Sequence, residues 1–592
     1  MIPHRPEREY HSQVRSPQVR KMTDMSRVCS MMSRRLLRGL TAVPVLLALC
    51  IQGAAAQRID HRGREFWVAF MPNLGSQSPI ERSRLRLYLL SGVDTKATIT
   101  YTLTGASREI EVAGGTFVNP VDLNALFGDM TELDDFTIGN SVTGRSFLIL
   151  ADDDIAVIGA NLRQKSADAF LALPLGALDS HYIVLAYPNG YTSAGQGAGD
   201  YDTQSEFAVV AVADGTRLNV SRPAGSTTIN GRTEETFSVM LNRGEVFLGQ
   251  AQLNADADVS GTELSADHPV AVFAGTKRAS VPSGLGNYRD HMVEQLVPDR
   301  YWRTGGMAAP RFVFTERTSD TILYRVAARD TGTVSFTSNG VTRSMYVRAR
   351  EICSFTSDSA VRIDATVPVL AALYEPSQGI PGSPKLFMGD PSMSLIASPE
   401  QWDTEYMFVN LPEADFTIHY VAVIAPRGAE LVLDGSPVVK PRRRIDDAYD
   451  YIQIQIFAGS HRLNSSVPVG VTVYGVSDAV SYAYPAGLVL QQPTQGAAPS
   501  PNAGGRISLR ALPNPVTGAE LVLDVLARRA VRIGCEIVDE RGELVTHASQ
   551  RFDIPGGAGR IRLDIRGLPC GIYFCRVSTE GNESATVKFV RR

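Results

Sequence analysis

The residues whose types and spacing best suit chemistry are Asp290, His291 and Glu294, in the order Asp-His-x-x-Glu. A histidine and a glutamate three positions apart share one face of a helix, where they could bind a metal ion or act as an acid–base pair. Only these two ligands are local, and no third lies nearby in the sequence. The competing hypothesis is structural: the aspartate caps a turn, the histidine is hydrogen-bonded, and the glutamate pairs with a nearby basic residue.

Three consecutive aspartates, Asp152, Asp153 and Asp154, offer the hard oxygen ligands that Ca²⁺ prefers. The segment lacks the alternating carboxylates and the bidentate glutamate of a helix-flanked calcium loop. A solvated β-turn is therefore the competing interpretation. Calcium is the one cofactor that the sequence suggests.

A glycine-rich segment at 190–202 is bordered and occupied by aromatic residues, namely Tyr187, Tyr191 and Tyr201. Functional residues concentrate on loops, and aromatic side chains contribute much of the energy at binding surfaces. The segment is therefore a candidate ligand-contact loop, with a plain linker as the alternative.

Four cysteines follow the first 56 residues: Cys353, Cys535, Cys570 and Cys575. Their spacing matches no zinc site, and they are too few to cross-link several domains. Cys570 and Cys575 are an odd number of positions apart. On one strand they would face opposite sides, so they are not expected to pair with each other.

The sequence motifs of common enzymes are missing. The sequence has no G-x-S-x-G nucleophile elbow, no P-loop and no H-E-x-x-H pair. The net charge is −4, whereas nucleic-acid binding needs a basic face. We therefore expect neither an enzyme nor a nucleic-acid-binding protein.

The elements that position these residues are predicted to be β-strands. After residue 57, Val, Ile, Thr, Tyr and Phe alternate with polar residues, and Gly, Asn, Asp and Pro interrupt the strands at short intervals. An aromatic opening strand, a turn with its strand, and an apolar closing strand behind a polar turn recur in this order four times. The period of about 110 residues suits a two-sheet sandwich. We expect tandem β-sandwich-like units at 57–165, 166–285, 286–395 and 396–490.

The N-terminal extension and signal peptide are assigned to 1–56. Arg34, Arg35 and Arg38 precede an apolar run at 40–51, and three alanines at 54–56 suit cleavage. This run is too short for a stable membrane span, and no longer apolar run follows it. No integral membrane segment is expected in the mature protein.

Residues 491–505, rich in Pro, Gly and Ala, predict a flexible linker before a last compact unit at 506–592. That unit contains Pro-Asn-Pro at 513–515, Asp-x-x-Gly at 539–542, Leu-x-x-Gly-x-Tyr at 568–573 and a basic, apolar chain end. It resembles the type A C-terminal sorting domain of the type IX secretion system. The resemblance implies a small C-terminal β-sandwich recognised by the outer-membrane translocon. With the signal peptide, it implies Sec-type export followed by type IX secretion to the outer cell surface or beyond.

A second resemblance covers residues 179–488 and is carried by motifs at 275–282, 290–295, 389–393, 459–463 and 481–487. This region resembles the N-terminal domain of IgG Fc-binding proteins. Members of that family commonly have cysteines where Arg278 and Arg289 stand. The loss of both together is what a disulfide between them in those relatives would imply.

The resemblances imply a secreted or cell-surface binding or adhesion protein with an extracellular protein or glycan ligand. The family name does not by itself imply that IgG is bound, because function resides in loops rather than in the fold. Two alternatives stay open. One is a secreted hydrolase acting on extracellular glycan or protein, and the other is a structural surface-layer component.

Overall fold

A computed structural model describes the four-unit body and most of the C-terminal unit. The described residues are 59–73, 83–115, 118–128, 132–133, 142–189, 203–253, 256–283, 288–310, 321–378, 388–490, 507–512, 516, 518–527, 531–539, 544–546, 551–554, 557–579 and 584–591. The predicted signal peptide and linker lie outside them. Among the described residues, no helix is both long and apolar enough to cross a membrane.

The body consists of four antiparallel units in sequence, and the all-β prediction is confirmed. The first contains β1 Gly63–Val68, β2 Arg84–Ser91, β3 Thr95–Tyr101, β4 Ala106–Val112, β5 Asn119–Asp122, helix α1 Leu123–Phe127, β7 Phe147–Arg163 and β8 Ser166–Leu171. Strand β6 Val142–Thr143 lies before β7 in the chain but pairs with Val246–Gln250 of the second sheet. The second contains β9 Asp179–Ile183, β10 Ser205–Ala211, β11 Thr216–Ser221, β12 Thr236–Leu241, β13 Val246–Gln250, β14 Glu263–Ala279 and β15 Asp290–Gln295.

The third unit contains β16 Arg303–Ala308, β17 Ile322–Ala328, β18 Gly332–Ser338, β19 Val341–Val347, β20 Ile352–Ser357, β21 Val361–Tyr374 and β22 Met393–Ile396. The fourth contains β23 Asp403–Asn410, β24 Ile418–Pro426, β25 Leu431–Leu433, β26 Ser436–Pro437, β27 Arg443–Arg444, β28 Tyr449–Ile456, β29 Gly459–Ser477 and β30 Val480–Pro485. Short 3₁₀ helices at Leu175–Ala177, Asp299–Tyr301 and Pro399–Gln401 precede the second, third and fourth units.

One long strand organises each unit, and we call β7, β14, β21 and β29 the crossing strands. The first half of each crossing strand pairs with the unit's first and third strands, and the second half pairs with its second and last strands. The two halves therefore belong to opposite layers of a sandwich. A strand that changes layer in this way commonly does so at a bulge.

The polar turn predicted before each closing strand is this bulge, within one continuous strand. In β7, Leu150 pairs with Glu65, Ala151 with Ala97 and Ile155 with Gly63, so 152–154 protrude from the ladder. The same shift occurs at 265/270, 364/369 and 464/469. The last three bulges each end in proline, which has no N–H to lose from the ladder. The expected separation into turn and strand was wrong because sequence patterns do not distinguish a bulge from a turn.

The last strand of each unit is buried, and we call β8, β15, β22 and β30 the inner strands. Strand β8 packs against β15 and β30, and β22 packs against the same two strands. Because β8 and β15 pair with β7 and β14, the first and second sheets extend past the predicted boundaries at 165 and 285. All the predicted unit boundaries stay a prediction.

The two ends of the body meet. Ile59 accepts a backbone hydrogen bond from Leu490 (2.7 Å), and His61 donates one to Leu488 (3.0 Å). Nearby, Tyr88 of the first unit donates a hydrogen bond to Glu413 of the fourth (2.7 Å). The four units therefore form a closed arrangement around the inner strands.

The C-terminal unit is a two-sheet sandwich. Its strands are β31 Ile507–Leu512, β32 Glu520–Ala527, β33 Val531–Asp539, β34 Leu544–Thr546, β35 Arg551–Ile554, β36 Gly557–Asp564, β37 Gly571–Thr579 and β38 Ser584–Arg591. Strands β31, β32 and β36 form one sheet, and the other five form the second. Apolar side chains from both sheets, such as Leu523 and Ile537, share one core.

Candidate functional site

The segment Asp290–Gln295 forms inner strand β15, and all six of its residues are buried. The helical premise for His291 and Glu294 is therefore wrong, because residues three apart on a strand point to opposite faces. The Nδ1 atom of His291 lies 3.3 Å from the carbonyl oxygen of Lys277, and burial lowers the pKa of His291 to about 4. Glu294 accepts a hydrogen bond from the backbone N–H of Leu395 (3.0 Å). Both residues anchor β15 to its neighbours.

Asp290 at the start of β15 joins three inner strands. Its Oδ1 accepts the backbone N–H of Ala167 in β8 (2.5 Å), and its Oδ2 accepts that of Ser481 in β30 (3.2 Å). Burial raises the pKa of the Asp290 carboxyl well above its usual range, and the nearby Asp390 and Asp168 carboxylates add to this. The residue connects strands rather than capping a turn.

Asp168 in β8 makes more such bonds, and the sequence reasoning missed it. Its Oδ1 accepts from the N–H groups of Ala169 (2.9 Å) and Ala483 (3.1 Å). Its Oδ2 accepts from Val293 (3.2 Å) and Met393 (3.1 Å). One fully buried carboxylate thus contacts all four inner strands. The available signal was a single carboxylate inside the otherwise apolar run 167–173, because buried charges need partners.

The aspartate triplet lies in the bulge of β7. Arg64 on the paired strand β1 donates to Asp154 (3.1 Å) and Asp153 (3.4 Å), so these carboxylates form exposed ion pairs. Asp152 is exposed beside them. Within the described residues, no group of three or more His, Cys, Asp or Glu side chains is arranged to hold a metal ion. Calcium binding by Asp152 and Asp154 stays a prediction.

Tyr187 lies at the junction of the second and third units and is buried. Its ring packs on Tyr374 with centroids 5.1 Å apart, and the guanidinium of Arg325 lies 5.6 Å from its centroid. Arg325 also forms a 2.5 Å ion pair with Asp258. Tyr187 is therefore part of an interface between units. Tyr191 and Tyr201 lie outside the described residues.

The positions of Arg278 and Arg289 flank the β14–β15 connection. Ala279 pairs with Asp290, so the two arginines lie diagonally across neighbouring strands. Diagonal neighbours are within reach of each other. This placement is compatible with the disulfide implied for relatives that carry cysteines there, and that disulfide stays a prediction.

A polar groove of about 300 Å³ lies between the third and fourth units. Its walls are the β18–β19 turn and the segment that follows β27. The lining residues are Thr337, Ser338, Asn339, Gly340, Arg362, Arg444, Ile445, Asp446 and Asp447. This volume lies at the lower end of the range of small-ligand sites. The sequence analysis did not identify this groove.

The comparisons with known proteins match two regions of the chain. A family profile described as "IgGFc binding protein" matches residues 168–475, and one described as "Secretion system C-terminal sorting domain" matches residues 510–592. The sorting-domain match indicates secretion to the cell surface or extracellular space. The human IgGFc-binding protein is 25% identical over 437 residues, which are 72% of this chain but 8% of that protein.

The likenesses to two solved structures are weak. Dimeric latent PorU from Porphyromonas gingivalis is 12% identical over 54% of this chain and 31% of its own, with a TM-score of 0.14. Trypsin-activated alpha-2-macroglobulin from Escherichia coli is 9% identical over 92% and 49%, with a TM-score of 0.16. TM-scores this low do not indicate a shared overall fold. By its sequence, the chain belongs to the IgGFc-binding protein family and ends in a secretion-system C-terminal sorting domain.

Proposed function

We propose that this protein is a cell-surface or secreted binding or adhesion protein, exported by the type IX system, whose ligand is an extracellular protein or glycan. The observation that carries the proposal is the family match over 168–475, joined in one chain to a sorting domain. The roles of the buried polar residues support it. Asp168, Asp290, His291 and Glu294 bond to backbone groups inside the body, which leaves binding to its surfaces.

The groove between the third and fourth units is the ligand site that we propose. Arg362 bonds to Asp446 (3.2 Å), and Arg444 donates to the carbonyl oxygen of Asp446 (3.1 Å). Arg362 also pairs with Asp364, and Arg444 also pairs with Asp447. These groups line an open space, and their remaining N–H groups and carboxylate lone pairs are the proposed contacts for ligand hydroxyl, amide or carboxylate groups. The site is formed by two units, so a ligand there would depend on their packing.

The test is binding of the full chain to a glycan array and to immobilised extracellular proteins, including IgG Fc. Arg444→Ala is expected to weaken binding about tenfold, which corresponds to about 1.4 kcal/mol. The matched control is Arg329→Ala, since Arg329 is also an arginine of the body paired with a nearby carboxylate, Asp330 (3.0 Å). Equal affinities for the two variants would refute the groove as the site. Turnover of a bound glycan or protein would refute the binding function in favour of a hydrolase.

Export is tested separately by deleting 506–592. The truncated protein is expected to stay inside the outer membrane, while the full chain reaches the surface or medium. Recovery of equal amounts of both outside the cell would contradict type IX export. It would leave the ligand-binding test unaffected.

A further inference from the structure

Two cysteines of the C-terminal unit lie on neighbouring strands. Strands β33 and β37 are antiparallel, and their register pairs Cys535 with Val577 and Ile537 with Cys575. The two cysteines are therefore diagonal neighbours. Both are buried in the core shared by the two sheets, so their side chains project from the same face.

The thiols of Cys535 and Cys575 are close enough to hydrogen-bond to each other. In an untwisted ladder, the distance between diagonal neighbours is near the upper limit that a disulfide can span. The right-handed twist of a sheet shortens one of the two diagonals. The interaction between the two thiols favours the short diagonal for this pair.

The other two cysteines of the described residues are placed differently. Cys570 is exposed just before β37, and Cys353 is buried in the core of the third unit. The sequence alone argued against a disulfide between Cys570 and Cys575, but it did not identify Cys535 as the partner of Cys575. The register of β33 against β37 supplies that partner.

We propose that Cys535 and Cys575 form a disulfide bond in the exported protein. A Sγ–Sγ bond forms as each thiol loses one proton and one electron. The two electrons pass by thiol–disulfide exchange to a disulfide-bearing periplasmic oxidase, which is reduced to its dithiol. The extracytoplasmic route of a protein with a sorting domain supplies this oxidising compartment.

The bond would join β33 to β37 across the intervening strands β34, β35 and β36. Because β36 belongs to the other sheet, the closed loop includes strands from both layers. The cross-link therefore reduces the conformational freedom of the unfolded sorting domain. This stabilises the folded domain in the periplasm before the outer-membrane translocon binds it.

The test sends the full chain to the periplasm of a laboratory bacterium without a type IX system. The protein is denatured and alkylated with or without prior reduction, and each cysteine is scored by peptide mass spectrometry. Cys535 and Cys575 are expected to resist alkylation until reduced, whereas Cys353 and Cys570 react in both samples. Full reactivity of Cys535 and Cys575 without reduction, or a disulfide to Cys570, overturns the proposal.

Two controls keep the result decisive. In a strain lacking the periplasmic thiol oxidase, the protected fraction of Cys535 and Cys575 is expected to fall sharply. Cys535→Ser is expected to expose Cys575 to alkylation, while Cys570→Ser leaves both protected. If Cys535→Ser fails to fold, the Cys570→Ser result and the oxidase-deficient strain still decide the question. Protection of Cys575 in folded Cys535→Ser overturns the pairing.

Discussion

Replacement of Asp168 should separate the four units of the body, because its carboxylate accepts backbone N–H groups from all four inner strands. Asp168→Ala removes every acceptor at this point. Asp168→Asn has nearly the same shape but retains one acceptor oxygen, and it places an amide nitrogen against two N–H donors. The two variants thus differ in how many buried donors lose their partner.

The magnitude follows from that count. A buried donor left unpaired costs about 1–3 kcal/mol. Four of them in Asp168→Ala give a loss of about 4–12 kcal/mol in the free energy of unfolding, and two in Asp168→Asn give about half of that. Since whole domains are stable by about 5–15 kcal/mol, the alanine variant should be largely unfolded or open. Asp152→Asn, at an exposed position, is the matched control and should change the stability by less than about 0.5 kcal/mol.

Urea unfolding followed by tryptophan fluorescence is the assay. The protein has three tryptophans, Trp67, Trp302 and Trp402, which lie in or at the start of the first, third and fourth units. Single-tryptophan variants are expected to report the same destabilisation by Asp168→Asn at all three sites. A loss within about 1 kcal/mol of the control, or one confined to Trp67, would refute the reasoning that Asp168 holds the units together.

Three further predictions concern the body. Hydrogen bonding to Asp299 raises the pKa of His181 to about 9, so its contribution to stability is complete below about pH 6.5 and is lost as the pH rises through about 9. Melting curves should therefore fall more steeply with rising pH for the wild type than for His181→Ala, and parallel curves would contradict this. Gly275→Ala places a Cβ 1.8 Å from a carbonyl oxygen of β15 and should cost about 1–3 kcal/mol, whereas Gly92→Ala meets nothing within 4 Å. Equal melting temperatures for the two variants would disprove this close approach. Tyr406→Phe removes a hydroxyl that accepts the N–H of Asp403 and donates to the carbonyl of Val469 at the bulge between β23 and β29, and it should cost about 1–3 kcal/mol by chemical denaturation. An unchanged midpoint would show that these bonds do not stabilise the unit.

Part of the candidate site was readable from residue types alone. The order Asp-His-x-x-Glu at 290–294 drew attention to a segment that the structure buries, but its helical interpretation was wrong because the segment is a strand. Short segments with mixed polar and apolar residues carry no reliable period, so strand and helix are hard to separate. The burial of Tyr187 could not be anticipated either. An aromatic residue beside a glycine-rich segment fits both a surface loop and an interface between units.

The sequence by itself determined the strand-rich composition, the fourfold repeat and the resemblance of the last unit to a sorting domain. These depend on local alternation, turn residues and motif order, which are written along the chain. Only the tertiary structure decided that the polar turns are bulges in crossing strands, that Asp168 meets four inner strands, and that Cys535 lies beside Cys575. Each of these depends on register and on contacts between residues far apart in the chain. A register shift of one residue would move every side chain of a strand to the other face of the sheet. No local sequence pattern fixes the register between strands of different units.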